Sequence, residues 1–304
     1  MGGQPGASLD AATPLPIRDG VGPSYMWVQD AEPGPALAYL LARFADVTEA
    51  IWRDRMVRGE VIDGSGVVLT PDSVLRRGQR IWYYRELDDE ILIPFDEQIL
   101  FRDEHLLVVD KPHFLPTTPG GRFLHQSLLV RLKRKLGEEQ LIPIHRLDRE
   151  TAGVVLFSLR AESRGAYQSL FQQRSVDKVY EAIAPPMAGR AFPFIHRSRM
   201  VDGTPFFRME EAPGEPNSET LVDVIAERGE GLLYRLQPRT GRKHQLRVHM
   251  AALGAPILND AFYPVALPIK EDDFLHPLKL LARSIAFDDP LSGERRRFES
   301  ARTL

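Results

Sequence analysis

Five short runs rich in apolar residues limit what this chain can fold into: His105–Asp110 (HLLVVD), Val154–Ser158, Lys178–Ala184, Thr220–Ala226 and Leu232–Gln237. Runs of this length between turn residues read as strands, and the last two flank the turn Arg228–Gly231 as a pair. Only a few helical patterns lie among them. Leu124, Leu128, Leu129, Leu132 and Leu136 trace one helix face, and Ser163–Arg174 reads as a second helix. Thr240 is placed to cap a third that runs to Leu253 and stops at Gly254. On that helix Leu246, Met250 and Leu253 form the buried stripe, and Lys243 and Arg247, four apart, are expected to face the same way. Many strands with a few interspersed helices predict an α+β fold with a mixed, mainly antiparallel sheet.

The N-terminal part has a different texture. Residues 1–24 are rich in Gly, Pro and Ala without periodicity, and read as a flexible tail. A small α+β module is expected over 25–95. Leu37, Leu40, Leu41 and Phe44 form one helical stripe, and Thr48–Arg58 is a second helix, with Thr48 as N-cap and Gly59 as stop. Val67–Leu69 and Arg80–Tyr84 are β-like, and a linker falls around Ile91–Phe95. The larger domain is expected over 96–304.

Cysteine is absent, which excludes disulfides, thiolate nucleophiles and Cys-based metal sites, and fits a cytoplasmic protein. No apolar run approaches a membrane span, and the first twenty residues lack the pattern of a secretory signal. The 39 Lys and Arg against 42 Asp and Glu give a net charge of −3, which argues against coating nucleic acid through bulk positive charge. The charge is nevertheless segregated. From Arg235 to Leu258 there are five Lys or Arg, two His and no acid, while acids cluster at Asp88–Glu90, Glu271–Asp273 and Asp288–Asp289.

Three segments place polar residues against strands. In Pro143–Ser158 (PIHRLDRETAGVVLFS), His145, Arg146, Asp148, Arg149, Glu150 and Thr151 form a dense polar loop running into a buried strand, where binding and catalytic groups commonly sit. A surface turn of mutually paired charges has the same local pattern. In Asp177–Pro185, Lys178, Tyr180, Ala182 and Ala184 share one strand face. Tyr180 among small residues leaves room for a planar ligand to stack, although a core Tyr reads the same way. The third is Gln237–Asp260, whose His244 and His249 are five apart, the wrong spacing for two ligands on one helix face. No HExxH is present, so neither a metal nor a metal-dependent hydrolase is expected.

HRLDRETAG, K-x-Y-x-A and TGRKHQLRVHMAALGAPILND, preceded by HLLVVDKP, resemble in order the signature stretches of the RluA-type family of RNA pseudouridine synthases, over roughly residues 96–290. The chain departs from the family in having Thr151-Ala152-Gly153 where Thr-Ser-Gly is usual, and Lys243 where Thr is common. Trp52–Val61 with Asp63-Gly64 and Leu75–Gly78 is similar, in part, to the RNA-binding module of small-subunit ribosomal proteins. The resemblance implies an enzyme that isomerises a uridine in a structured ribosomal or transfer RNA. It implies Asp148 as the catalytic carboxylate, nucleophile or base, Arg247 as its ion-pair partner and Tyr180 as the residue stacked on uracil. It also implies Arg146 as the residue entering the gap left by a flipped base. Lys178, Arg242, Lys243 and His244 then face the RNA. No redox change occurs, so no cofactor is expected; no obligatory protein partner is implied, and a monomer is the default. Two other readings compete: an RNA-binding assembly protein without catalysis, and a hydrolase using Asp148 and Glu150 as its two carboxylates.

Overall fold

The computed structural model describes residues 13–30, 32, 34–87, 90–229, 231–268 and 273–304. Of the acidic clusters, Asp88, Asp89, Glu271 and Asp272 lie outside the described residues, as do residues 1–12 of the expected tail. Two compact units divide the chain at Glu90/Ile91.

In the first unit, β1 (Ser24–Trp27), α1 (Ala36–Arg43), α2 (Glu49–Val57), β2 (Val61–Asp63) and β3 (Arg80–Tyr83) follow in order. The strands form an antiparallel sheet in the order β1-β3-β2. Leu37 and Leu40 of α1 meet Trp52 and Met56 of α2 over Val61 and Ile81. Thr48 caps α2 by accepting from the Ile51 N–H at 3.4 Å. Two expectations need correction. The described part of the expected tail is packed: Leu15 is buried with Ile62, Trp82 and Tyr84, and the Tyr84 hydroxyl donates to the Pro16 carbonyl at 2.6 Å. Val67–Leu69 makes an isolated bridge to Ile62 and no strand, because the tight turn held by the Asp63 carboxylate leaves little length to pair.

The second unit contains β4 (Gln98–Arg102), β5 (Leu106–Lys111), α3 (Leu128–Leu136), β6 (Ile142–Pro143), β7 (Ala152–Ser158), α4 (Ala161–Gln172), β8 (Asp177–Ala184) and β9 (Phe194–Asp202). β10 (Met209–Ala212), β11 (Ser218–Arg228), β12 (Gly231–Pro238), α5 (Gln245–Ala252), β13 (Leu280–Asp288) and β14 (Arg295–Glu299) complete it. Eleven strands form one sheet along the path β10-β9-β11-β12-β8-β13-β7-β5-β4, with β14 on β13 and β6 on β7. Every pairing is antiparallel except β13 with β7, so the sheet is mixed and mainly antiparallel, an α+β fold.

The apolar runs follow from burial on both faces. Leu107, Val109, Val155 and Phe157 pack against Leu128 and Leu132 of α3. Their neighbours Leu106, Val108, Val154 and Leu156 pack with Tyr167 of α4 and Phe287. Further along the sheet, Ala182, Ala184, Val222, Tyr234 and Leu236 receive Leu246 and Met250 of α5.

At the parallel seam, Gly153 sits opposite Ala282 with φ +115°, and a Cβ there would lie 2.2 Å from the Ala282 carbonyl oxygen. Neither the dihedral nor the space admits a side chain. Gly153→Ala is therefore expected to cost on the order of 3 kcal/mol or more, measured by denaturant unfolding.

The third helix differs from expectation at its start. α5 begins at Gln245 with His244 at φ +55° before it, and residues 239–244 are loop. Thr240 is occupied elsewhere: its hydroxyl accepts from the Glu219 N–H at 3.0 Å and donates to Gln245 Oε1 at 2.7 Å. Lys243 and Arg247 consequently face different ways, the first exposed and the second buried.

Candidate active site

Asp148 lies on the loop between β6 and β7, and the backbone around it is held from one side by residues 111–117. The Thr117 hydroxyl donates to the Leu147 carbonyl at 2.9 Å and accepts from the Leu147 N–H at 3.2 Å. Lys111 Nζ donates to the carbonyls of Pro112, Leu115 and Arg149 at 3.0, 2.7 and 3.1 Å. His113 Nδ1 lies 2.6 Å from the Glu150 carbonyl, to which it donates. Burial pushes Lys111 down to about 7 and His113 down to about 4, and the nearby Asp148 and Glu150 charges partly restore the lysine. A turn closed by Thr151 N–H on the Asp148 carbonyl at 3.1 Å completes the loop. His145 faces inward: its Nε2 accepts from the Leu156 N–H at 3.1 Å, its ring stacks on Phe171, and burial lowers its pKa to about 3. It is a neutral structural acceptor.

The Asp148 side chain opens into a cavity of about 420 Å³. The eight residues to which the resemblance gives a role all line it: Arg146 and Asp148 from the loop, Lys178 and Tyr180 from β8, and Arg242, Lys243, His244 and Arg247 from the approach and start of α5; His145, Arg149, Glu150 and His249 do not. Asp148 is the one carboxylate on the wall among the described residues; Glu150 is not part of it. Tyr180 packs on both apolar clusters beneath the cavity. Burial, reinforced by the Asp148 charge, drives its hydroxyl pKa up, so it stays neutral. Lys178 donates to the Thr240 carbonyl at 3.2 Å, and burial with nearby Arg174 lowers it to about 8. Arg146, Arg242 and Lys243 are exposed.

Arg247 has a firmer partner than the expected one. Its Nε and Nη2 donate to the two oxygens of Asp260 at 2.8 and 2.6 Å. Asp260 in turn accepts from the N–H groups of Phe262 and Tyr263 at 2.8 and 3.2 Å. Nη1 makes no hydrogen bond; it lies 3.5 Å from Asp148 Oδ2 and 3.7 Å from Glu150 Oε2. Burial opposes the Arg247 charge, but Asp260, then Asp148 and Glu150, more than offset it and raise the pKa. The buried guanidinium therefore presents an uncommitted N–H edge to Asp148. His244 offers a second donor. Tyr263 accepts from the Met209 N–H at 2.8 Å, so its hydroxyl hydrogen is free for His244 Nδ1 at 2.9 Å. Burial keeps His244 neutral, which leaves the proton on Nε2, 3.9 Å from Asp148 Oδ1.

Sequence reasoning passed over Lys111, His113, Thr117 and Asp260. Lys111 and Asp260 carried a signal, the first as a charge ending an apolar strand and the second as the acid closing an acid-free stretch. The Thr117 and His113 contacts span 30 and 37 residues and have no local signature.

Among the described residues no helix is long and apolar enough to cross a membrane. A family model described as RNA pseudouridylate synthase matches residues 105–252, which include the whole cavity wall except Leu280. The dual-specificity RNA pseudouridine synthase RluA of Vibrio vulnificus is 33% identical over 219 residues, covering 67% of this chain and 83% of the relative. An uncharacterized RNA pseudouridine synthase of Synechocystis is 29% identical over 239 residues, covering 77% of this chain and 81% of the relative. The solved human RNA pseudouridylate synthase domain containing 1 superposes with a TM-score of 0.56 at 23% identity, over 68% of this chain and 84% of its own, a likeness of fold.

Proposed function

The chain belongs to the RluA-type family of RNA pseudouridine synthases, an isomerase family acting on RNA, and from that premise we propose that Asp148 carries the reaction on a uridine flipped out of a structured ribosomal or transfer RNA. The observation that supports this best is a cavity wall with one carboxylate, a neutral tyrosine and a ring of cations. Pseudouridine formation breaks the bond between ribose and N1 of uracil, turns the base and rejoins it through C5. It needs one ionised carboxylate at the sugar and base, as nucleophile or as base. Arg247 Nη1 and His244 Nε2 both face Asp148, at 3.5 and 3.9 Å from its oxygens. Tyr180, whose hydroxyl stays neutral, gives the uracil an apolar face to stack on. Unstacking the target costs a few kcal/mol, and Arg146, exposed on the cavity wall, enters the gap that the base leaves. Arg242, Lys243 and Lys178 face the phosphates, whereas both ring nitrogens of His244 are turned to Tyr263 and Asp148, so it meets the flipped nucleotide rather than the backbone. The two-carboxylate hydrolase finds no support, because Glu150 is off the cavity wall and bonded to Arg149 at 3.0 Å. The reaction takes place in the cytoplasm, and the first unit binds RNA in its own right.

The test uses cellular RNA labelled with tritium at C5 of uridine, taken from cells lacking the protein. Rejoining through C5 releases that tritium to water, and fractionating the RNA identifies the substrate. If no fraction releases tritium while RNA is still bound, catalysis is refuted in favour of binding alone.

Lys178 gives the binding step a pH signature. It is protonated below about 8 and neutral above, so affinity for substrate RNA is expected to fall about tenfold as pH rises through that value. Lys178→Arg, charged throughout, should flatten this dependence in filter-binding titrations. An unchanged pH profile in the variant would assign the loss to another group.

A further inference from the structure

Away from the cavity wall, three side chains from three elements converge: His196 of β9, Glu211 of β10 and His249 of α5. Their donor atoms all lie within 4.8 Å of one another. His196 Nε2 is 2.7 Å from Glu211 Oε1, and His249 Nε2 is 3.9 Å from the same oxygen. Among the described residues no other group of His, Asp or Glu meets this geometry. We propose that His196, Glu211 and His249 bind a divalent transition-metal ion, zinc by the chemistry of the donors.

Two imidazoles and a carboxylate form a recognised three-ligand zinc set. With metal–donor bonds near 2.0–2.2 Å, two donors on a tetrahedral ion stand roughly 3.3–3.5 Å apart. The observed separations bracket that value, so side-chain rotation alone can close the site.

The surroundings suit ligation. The His249 side chain is 1% exposed, so its imidazole is held in place by the packing around it. Its Nδ1 is 3.0 Å from the Thr220 hydroxyl, a partner for the N–H of a ligating histidine. Nε2 lies 2.9 Å from Ser218 Oγ and 3.1 Å from Ser198 Oγ. The Ser218 hydrogen is given to the Ser198 carbonyl at 2.7 Å, so in the metal-free site Ser218 Oγ accepts from Nε2–H, and metal binding moves that proton to Nδ1, facing the Thr220 hydroxyl. His196 and Glu211 are partly exposed, which leaves an entry path and a fourth position for water. The site is separate from the catalytic wall, to which none of the three residues contributes. Bound metal would tie β9 and β10 to the helix that carries Arg247.

The experiment uses the untagged full-length protein, loaded with an equivalent of zinc sulfate, desalted and analysed for metal by mass spectrometry. About one zinc per chain is expected for wild type. His196→Ala and Glu211→Gln, both at partly exposed positions, should each weaken zinc binding by more than about 100-fold in a competition titration with a chelating dye. Cobalt(II) in place of zinc should show the strong visible absorption of a four-coordinate ion in wild type and lose it in His196→Ala. Tritium release by zinc-free His196→Ala reports an intact fold. Wild type that retains no zinc, or variants that retain it equally, would overturn the proposal.

Discussion

Asp148→Asn should abolish tritium release from labelled RNA, lowering the rate by at least about 1,000-fold, and leave the fold intact. The substitution keeps the shape of the side chain and removes its charge. Its structural cost is small because the Asp148 oxygens sit 3.5 Å from Arg247 and 3.9 Å from His244, beyond firm hydrogen bonding, and the side chain is 25% exposed. Arg247 retains its bidentate partner Asp260, so no buried charge is stranded. Circular dichroism and the melting temperature should therefore stay near wild type while activity disappears. Glu150→Gln is the companion experiment, since it removes the second acid of the loop without touching the cavity wall. A rate for Asp148→Asn within tenfold of wild type would remove Asp148 from the chemistry.

Arg247→Ala should fail on stability as well as on activity. Arg247 is 1% exposed, and its fork holds a carboxylate whose side chain is 0% exposed. Removing the cation leaves Asp260 buried with only two backbone donors, a loss of about 3–5 kcal/mol. At roughly 2–4 °C per kcal/mol for a unit of this size, the melting temperature should drop by about 6–20 °C. The Arg247 ring contacts to Phe262 and Tyr263 disappear with it. Arg247→Lys separates the two roles. A lysine keeps the charge against Asp260 but cannot also direct a rigid second N–H edge at Asp148. It should recover most of the melting temperature and little of the activity. Equal recovery of both would show that Arg247 serves the fold alone.

What the sequence made legible divides along physical lines. Strands buried on both faces, such as β5 and β7, declared themselves as apolar runs, and the helix stripes over α1 and α3 followed from spacing. Most strands passed over have mixed faces; β13 is the exception, buried at six of nine positions but broken by Arg283 and Ser284. β9 reads FIHRSRMVD and is buried at only two of nine positions, and β14 (RRRFE) at none, so register with neighbours makes them strands and their own pattern does not. At the site, the eight motif residues given a role by the resemblance share one wall, because each motif sits on an element anchored in the core. The error about Thr240 arose from reading a capping residue without knowing that β11 would claim its hydroxyl. The pairing of Arg247 with Asp260 was hidden for a similar reason: it depends on how the chain returns after α5.

The order in which the sheet is laid down differs from the order in which its strands are made. β13, at residues 280–288, enters between β8 and β7, and its register with both places the Asp148 loop beside Tyr180. Until that late segment is made, the two arms of the sheet are linked through α4 but share no ladder of hydrogen bonds, and the register that sets Asp148 beside Tyr180 is missing. A growing chain thus holds every motif of the cavity wall by Arg247 and still has no cavity. Assembly of the site waits on residues 280–288 rather than on the motifs that line it.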